Sequence, residues 1–342
     1  MIKVLVAEDS AVQRELLVYF LGQDADLTVV GAARNGTEAV DLNRERRPDV
    51  IVMDVHMPGM NGYEATRRIL EEAPTPIVMV SASIGENEVE LSFEALEAGA
   101  LAMVAKPLGP DHPDHQESVE RLTTTIKLMS EVKVVRRWRK EPVGDVATLA
   151  RKRRIEVVAI GASTGGPGVI VDILQGLPPD LGAAVVIVQH MLPGFVQGFA
   201  KWLGPKTGLD VQLANDGDRL TPGRIFIAPD GRQTGVSREG RISLQANSGK
   251  DGFCPSASYL FSSVARAYGS ASMGVVLTGM GQDGADGLLE MRRAGGLTIA
   301  QEAETCAVFG MPKAAIALGA AEHVLRPEQI AALVRSSATR AP

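Results

Sequence analysis

Cysteine is almost absent. The 342 residues hold two, Cys254 and Cys306. Two cysteines cannot build a disulfide framework or a cysteine-only metal site. Long apolar runs are missing as well. No stretch approaches the ~18 consecutive apolar residues of a membrane-spanning helix, so membrane insertion is not expected. The 45% hydrophobic content nevertheless excludes a mainly disordered chain. The start, Met1-Ile2-Lys3-Val4-Leu5-Val6-Ala7-Glu8-Asp9, lacks the apolar stretch and cleavage site of a signal peptide. We read it as a cytosolic start and expect a cytoplasmic location. An excess of one charge is lacking too. The formal net charge of −6 speaks against a nucleic-acid partner.

That small figure hides a division. Residues 1–126 carry 10 basic and 22 acidic side chains, residues 127–154 carry 10 and 3, and residues 155–342 carry 15 and 16. The pattern is an acidic module, a basic connector and a near-neutral module. The length agrees with two domains at ~150 residues each. The connector holds Lys133, Arg136, Arg137, Trp138, Arg139 and Lys140, then Pro142, then Arg151 to Arg154. Basic residues around a tryptophan could contact nucleic acid, in a DNA-binding regulator. A solvated linker extending the last helix of the first module is the reading we adopt.

In residues 1–126, apolar runs of strand length occur at 2–7, 27–32, 50–53, 77–80 and 101–104, with helical spacings at 11–21, 63–70 and 89–96 between them. Continuous apolar runs alternating with helices predict a parallel sheet covered on both faces. Polar groups gather where the runs stop: Glu8 and Asp9, Asp54, Ser81 and Lys106. Ligands in such sheets bind at the carboxyl ends of the strands. Carboxylates brought to one edge repel unless a cation shares them, and hard oxygen donors suit Mg²⁺. A hydroxyl and an ammonium complete a site able to hold a phosphoryl group on one carboxylate.

Residues 155–342 repeat the alternation, with strand runs at 156–160, 184–189, 224–228, 273–278 and 297–300. Helical patterns lie at 169–174, 257–267, 284–293 and 328–334, so a second doubly wound parallel sheet is expected. After its first strand comes Gly161-Ala162-Ser163-Thr164-Gly165, the spacing of a turn that exposes a nucleophilic serine. The same glycines could cradle a phosphate, but the P-loop lysine and the dinucleotide glycine spacing are missing. A serine hydroxyl needs a base. His190 directly follows the strand run 184–189, and His323 lies near the C-terminus. After the run 273–277 comes Thr278-Gly279-Met280-Gly281-Gln282-Asp283-Gly284-Ala285-Asp286, which offers backbone donors and two carboxylates to orient an imidazole. The order Ser163, His190, Asp283 competes with an α/β-hydrolase order, in which His323 is the base and Asp283 or Asp286 orients it.

The segments Ala7-Glu8-Asp9-Ser10, Val52-Met53-Asp54-Val55-His56-Met57-Pro58, Val80-Ser81-Ala82 and Lys106-Pro107 resemble response-regulator receiver domains. The resemblance implies a flavodoxin-like fold, Asp54 as phosphoacceptor, and Mg²⁺ held by Glu8, Asp9 and Asp54. It further implies Ser81 and Lys106 on the phosphoryl oxygens. Met103 stands where many receivers carry Tyr or Phe. The segments Ile160-Gly161-Ala162-Ser163-Thr164-Gly165-Gly166, Val188-Gln189-His190-Met191 and Leu277-Thr278-Gly279-Met280-Gly281-Gln282-Asp283-Gly284-Ala285 resemble the catalytic domain of the CheB family of protein-glutamate methylesterases. That resemblance implies a Rossmann-like domain with Ser163 as nucleophile, His190 as base and Asp283 as orienter. It implies the Met280 N–H in the oxyanion hole, Thr164 supporting the histidine, and no cofactor for ester hydrolysis. The implied enzyme hydrolyses glutamyl methyl esters on chemoreceptors and deamidates glutamines. Its implied partners are methylated chemoreceptors as substrate and a chemotaxis histidine kinase as phosphodonor. Phe253-Cys254-Pro255-Ser256-Ala257-Ser258 departs from the family, whose members often have a basic residue before Pro-Ser and Val-Asp after it. The rivals are a receiver-gated esterase of a non-flagellar chemosensory pathway and a non-catalytic response regulator.

Overall fold

Strands built of Val, Ile, Leu and Met without polar alternation have no face for water, and both of their faces are covered here. The computed structural model describes residues 1–81, 100, 102–132, 154–191, 193–246 and 253–338. The expected helix at 89–96 and the connector from 133 to 153, with Trp138, lie outside them. The chain divides into two units, Met1–Lys140 and Glu141–Pro342.

In the first unit, β1 (Ile2–Ala7), β2 (Leu27–Ala33), β3 (Val50–Asp54), β4 (Ile77–Ser81) and β5 (Ala102–Ala105) form one parallel sheet in the order 2-1-3-4-5. Every residue of β3 and β4 is buried. The helices are α1 (Ala11–Gly22), α2 (Gly36–Arg46), α3 (Gly62–Glu72) and α4 (His115–Ser130). Local chemistry starts three of them. Ser10, Asn35 and Asn61 each accept a hydrogen bond from a backbone N–H three residues on, and Glu64 returns the bond to Asn61 as a capping box. α4 continues past residue 126 to Ser130, and Lys127 in its last turn pairs with Asp24 and Asp26 at 2.9 and 2.8 Å.

In the second unit the main sheet has the order β14-β13-β12-β6-β7-β9-β8, parallel throughout. Its strands are β6 (Val157–Ala162), β7 (Ala184–Gln189), β8 (Asp210–Leu213), β9 (Arg224–Ile227), β12 (Ser272–Val276), β13 (Leu297–Gln301) and β14 (His323–Leu325). Strands β10 (Arg232–Val236) and β11 (Ile242–Ala246) form a separate antiparallel hairpin. The helices are α5 (Gly166–Gln175), α6 (Phe195–Thr207), α7 (Ala257–Tyr268), α8 (Ala285–Arg293), α9 (Met311–Ala317) and α10 (Pro327–Ser337). From β6 the chain builds outward through β7 on one side and later through β12 on the other. The β6/β12 boundary is therefore the switch point, beside which α/β sheets place their sites. No helix among the described residues is long and apolar enough to cross a membrane.

Phe199, Phe226 and Phe261 are the largest fully buried side chains of this unit. Phe226→Ala, at the middle of β9, is expected to cost about 3–5 kcal/mol. Urea unfolding of the full chain checks this, the second-unit transition moving to lower denaturant while that of the first unit stays.

Candidate functional site

In the first unit the parallel register carries Glu8, Asp54 and Lys106 to one sheet edge. Lys106 Nζ lies 2.7 Å from Glu8 Oε2 and 3.0 Å from Asp54 Oδ1. Both carboxylates are buried. Burial pushes the Glu8 and Asp54 carboxyls above their ordinary pKa despite Lys106, and the neighbouring acids add to the rise. Burial works against the Lys106 charge, yet Glu8 and Asp54 win and hold its pKa up. Oxygens of Glu8, exposed Asp9 and Asp54 lie within 4.8 Å of one another. An all-oxygen set with excess negative charge fits a hard divalent cation. Ser81 ends β4 opposite Ala105 of β5, and its carbonyl accepts from the Lys106 N–H at 2.9 Å. Ser81 and Lys106 thus leave adjacent strand ends.

In the second unit three loops meet at the switch point. Ala162 pairs with Gln189, so Ser163 and His190 are the next residues on neighbouring strands. The Gln189 amide, buried, donates from Nε2 to both the Ser163 and the His190 carbonyls, at 2.8 Å each. The His190 N–H donates to the Ala162 carbonyl at 2.8 Å. From β12, on the other side of β6, the chain returns through Thr278, whose carbonyl accepts from Ser163 N at 3.0 Å. Gly165 has φ of +77°, and a Cβ there would stand 2.5 Å from Ala307 Cβ. A Cβ on Gly279 would stand 2.6 Å from Ser163 Cβ. Gly279 therefore lets its own loop pass close to the serine, while the Met280 side chain is 43% exposed.

Asp283 completes the constellation. Its Oδ2 accepts from His190 Nε2 at 2.9 Å and from Ala257 N at 2.7 Å. Its Oδ1 accepts from Ser256 Oγ at 2.8 Å, Ser258 N at 3.0 Å and Gly284 N at 2.9 Å. Burial raises the Asp283 carboxyl. The His190 hydrogen bond and charge, with the Ser258 and Ala257 N–H groups, outweigh burial and hold the carboxyl well below the usual carboxylate range. An ionised Asp283 only accepts, so the His190 Nε2 bonded to it carries a proton, and the lone pair of a neutral His190 ring falls on Nδ1. Nδ1 is buried with no hydrogen-bond partner among the described residues.

Thr164 is tied through its carbonyl, which accepts from Thr278 Oγ1 at 3.0 Å. Its hydroxyl makes no hydrogen bond to His190 among the described residues. Asp286 is exposed in the first turn of α8, away from the imidazole's partners. His323 begins the edge strand β14 opposite Ile299, with β13 and β12 between it and β6. Its recorded charged neighbour is Glu322, at 3.7 Å. The α/β-hydrolase order, with His323 as base, therefore fails in this sheet.

Sequence reasoning missed Ser256, Ala257 and Ser258, which form the start of α7 and hold Asp283. It also missed Gln189 and the residues that anchor the loop before α7. The only sequence signal was Ser256, one residue before a helical pattern, in the position of a cap.

A family model described as CheB methylesterase matches residues 158–334, and one described as response regulator receiver domain matches residues 4–135. The chain is 48% identical to "Protein-glutamate methylesterase/protein-glutamine glutaminase 1" of Syntrophus aciditrophicus, covering 100% of both chains. It is 47% identical to "Protein-glutamate methylesterase/protein-glutamine glutaminase" of Nitrosospira multiformis, covering 97% of this chain and 96% of that one. The crystal structure of the Thermotoga maritima CheB methylesterase catalytic domain superimposes with a TM-score of 0.51 at 37% identity. That match covers 53% of this chain and 97% of the other. A two-unit parallel α/β architecture, the loops at its switch point and full-length relatives all agree: the chain belongs to the CheB methylesterase family, with a response regulator receiver domain ahead of the catalytic domain.

Proposed function

We propose that this protein is a phosphorylation-regulated protein-glutamate methylesterase that hydrolyses glutamyl methyl esters on chemoreceptors and deamidates receptor glutamines. The observation that carries the chemistry is the 2.9 Å contact between His190 and Asp283, in the loops after the two strands that flank the strand leading to Ser163. Ser163 Oγ attacks the γ-carbonyl carbon of the ester, and its proton passes to His190 Nδ1. Asp283, fixed at Nε2, stabilises the imidazolium. The Met280 N–H meets the tetrahedral oxyanion, where one such donor is worth about 3 kcal/mol. Thr164 acts through its backbone, which ties the serine turn to Thr278. His190 returns the proton to the departing methoxide, and methanol leaves. Water then attacks the acyl-enzyme with His190 as base, which frees the glutamate and restores Ser163. With a glutamine substrate the same steps release ammonia.

The first unit is the switch and the second the enzyme, with the boundaries 1–126, 127–154 and 155–342 as the working division. Asp54 takes a phosphoryl group from a chemotaxis histidine kinase. Glu8, Asp9 and Asp54 would hold Mg²⁺, which when bound would neutralise charge for that transfer, and Ser81 and Lys106 would hold the phosphoryl oxygens. Added charge at Asp54 shifts an equilibrium between inhibited and active arrangements of the whole chain. The enzyme works in the cytoplasm.

Three measurements test this. Ser163→Ala and His190→Ala are each expected to abolish methanol release from methylated receptor membranes while phosphorylation of the chain by a small phosphodonor survives. Full release by Ser163→Ala overturns the assignment. Asp54→Asn, or removal of Mg²⁺ with a chelator, is expected to abolish phosphoryl uptake and to leave basal esterase activity in place. Residues 150–342 alone are expected to hydrolyse faster than the unphosphorylated full chain, and equal rates would show that the first unit does not inhibit.

A further inference from the structure

The His190 ring has a neighbour that the proposed chemistry does not use. Phe253 lies parallel to it, with ring centroids 4.6 Å apart and planes 6° from one another. Phe253 is 49% exposed, so burial is not what places it there. Its backbone is what holds it. The Phe253 carbonyl accepts from Gln233 Nε2 at 2.8 Å, and Gln233 Oε1 accepts from Ser256 N at 2.8 Å. Gln233 is a buried residue of β10. One neutral side chain therefore closes the loop 253–256 on both sides. The same loop feeds Ser256 and Ala257 into Asp283.

Asp283 fixes His190 at one ring atom, Nε2. A single bond leaves the ring free to tilt about that contact. A flat neighbour on its face removes this freedom, since an aromatic ring meets another face to face over a narrow range of planes. The same face is electron-rich and attracts cations. His190 becomes a cation when it takes the Ser163 proton, so the stack strengthens in the transition state relative to the resting enzyme.

We infer that Phe253 is a positioning residue for this esterase: its ring sets the plane of His190 and supports the imidazolium formed during acyl transfer. The inference rests on His190 being the base for Ser163. It gives a function to the first residue of the segment that departs from the family pattern.

The test uses the full chain, activated with a small phosphodonor, and methanol release from methylated receptor membranes. Phe253→Leu keeps an apolar side chain and removes the flat face. It is expected to lower kcat by about tenfold with KM little changed, as a small misplacement of a catalytic group does. Phe253→Tyr keeps the ring and is expected to restore kcat to within about twofold of the parent, on the same stacking argument. In the same Leu sample, the His190 ring protons are expected to move downfield in the NMR spectrum, because the shielding ring is gone. Wild-type kcat in Phe253→Leu, a Tyr variant as slow as Leu, or unmoved ring protons would each overturn the inference. A raised KM at constant kcat would assign Phe253 to substrate binding instead, and so overturn it too. Ser163→Ala runs alongside. Loss of release there with no effect of Phe253→Leu sinks the positioning role alone, whereas retained release sinks the base assignment and the positioning role together.

Discussion

His190 and Asp283 approach each other from the two strands that sandwich β6, so their contact exists only if three parallel strands keep their register. A slip of one residue in β7 would turn His190 to the opposite face of the sheet. The register is held by side chains that water never reaches, since all residues of β6, β7 and β12 are buried. The His190–Asp283 contact is thus the far end of a packing constraint. The loops beyond the strands add precision through hydrogen bonds, with Asp283 accepting from a helix start, a serine hydroxyl, its own neighbour and the imidazole.

The chain contains two kinds of buried carboxylate, and their surroundings set them apart. Glu8 and Asp54 share one ammonium, Glu8 faces the charge of Asp54 and Asp54 that of Asp9, so burial wins and their carboxyls are raised. Asp283 is comparably enclosed but receives the His190 hydrogen bond and backbone N–H groups, so burial loses. The first arrangement is short of positive charge and is suited to gaining a cation. The second is complete as it stands and is suited to staying ionised through a reaction cycle.

Much of this was legible in the sequence because parallel strands covered on both faces must be uninterrupted apolar runs. Where such a run ends, the first polar residue stands at the sheet edge, and Asp54, Ser163 and His190 could be located in this way. His323 shows the limit of that reading: it also adjoins an apolar run, but it begins its strand rather than following one. The β10–β11 hairpin escaped because Arg232-Gln233-Thr234-Gly235-Val236 has almost no apolar signal, although Gln233 and Thr234 are buried. The cradle around Asp283 escaped for another reason. Ser256 and Asp283 are 27 residues apart, and nothing in local spacing links a helix cap to a distant loop. A segment that looked like a departure from family pattern is in fact where Asp283 is held.

Gln189 has a consequence of its own. Its amide nitrogen spans the main chains of Ser163 and His190, and no proton enters or leaves that bridge at any pH proteins survive. A carboxylate or an imidazole in its place would loosen the spacing whenever it titrated. With a neutral amide, the backbone distance between Ser163 and His190 becomes a constant of the architecture, and acid or alkali acts on the reacting groups without first pulling their supports apart.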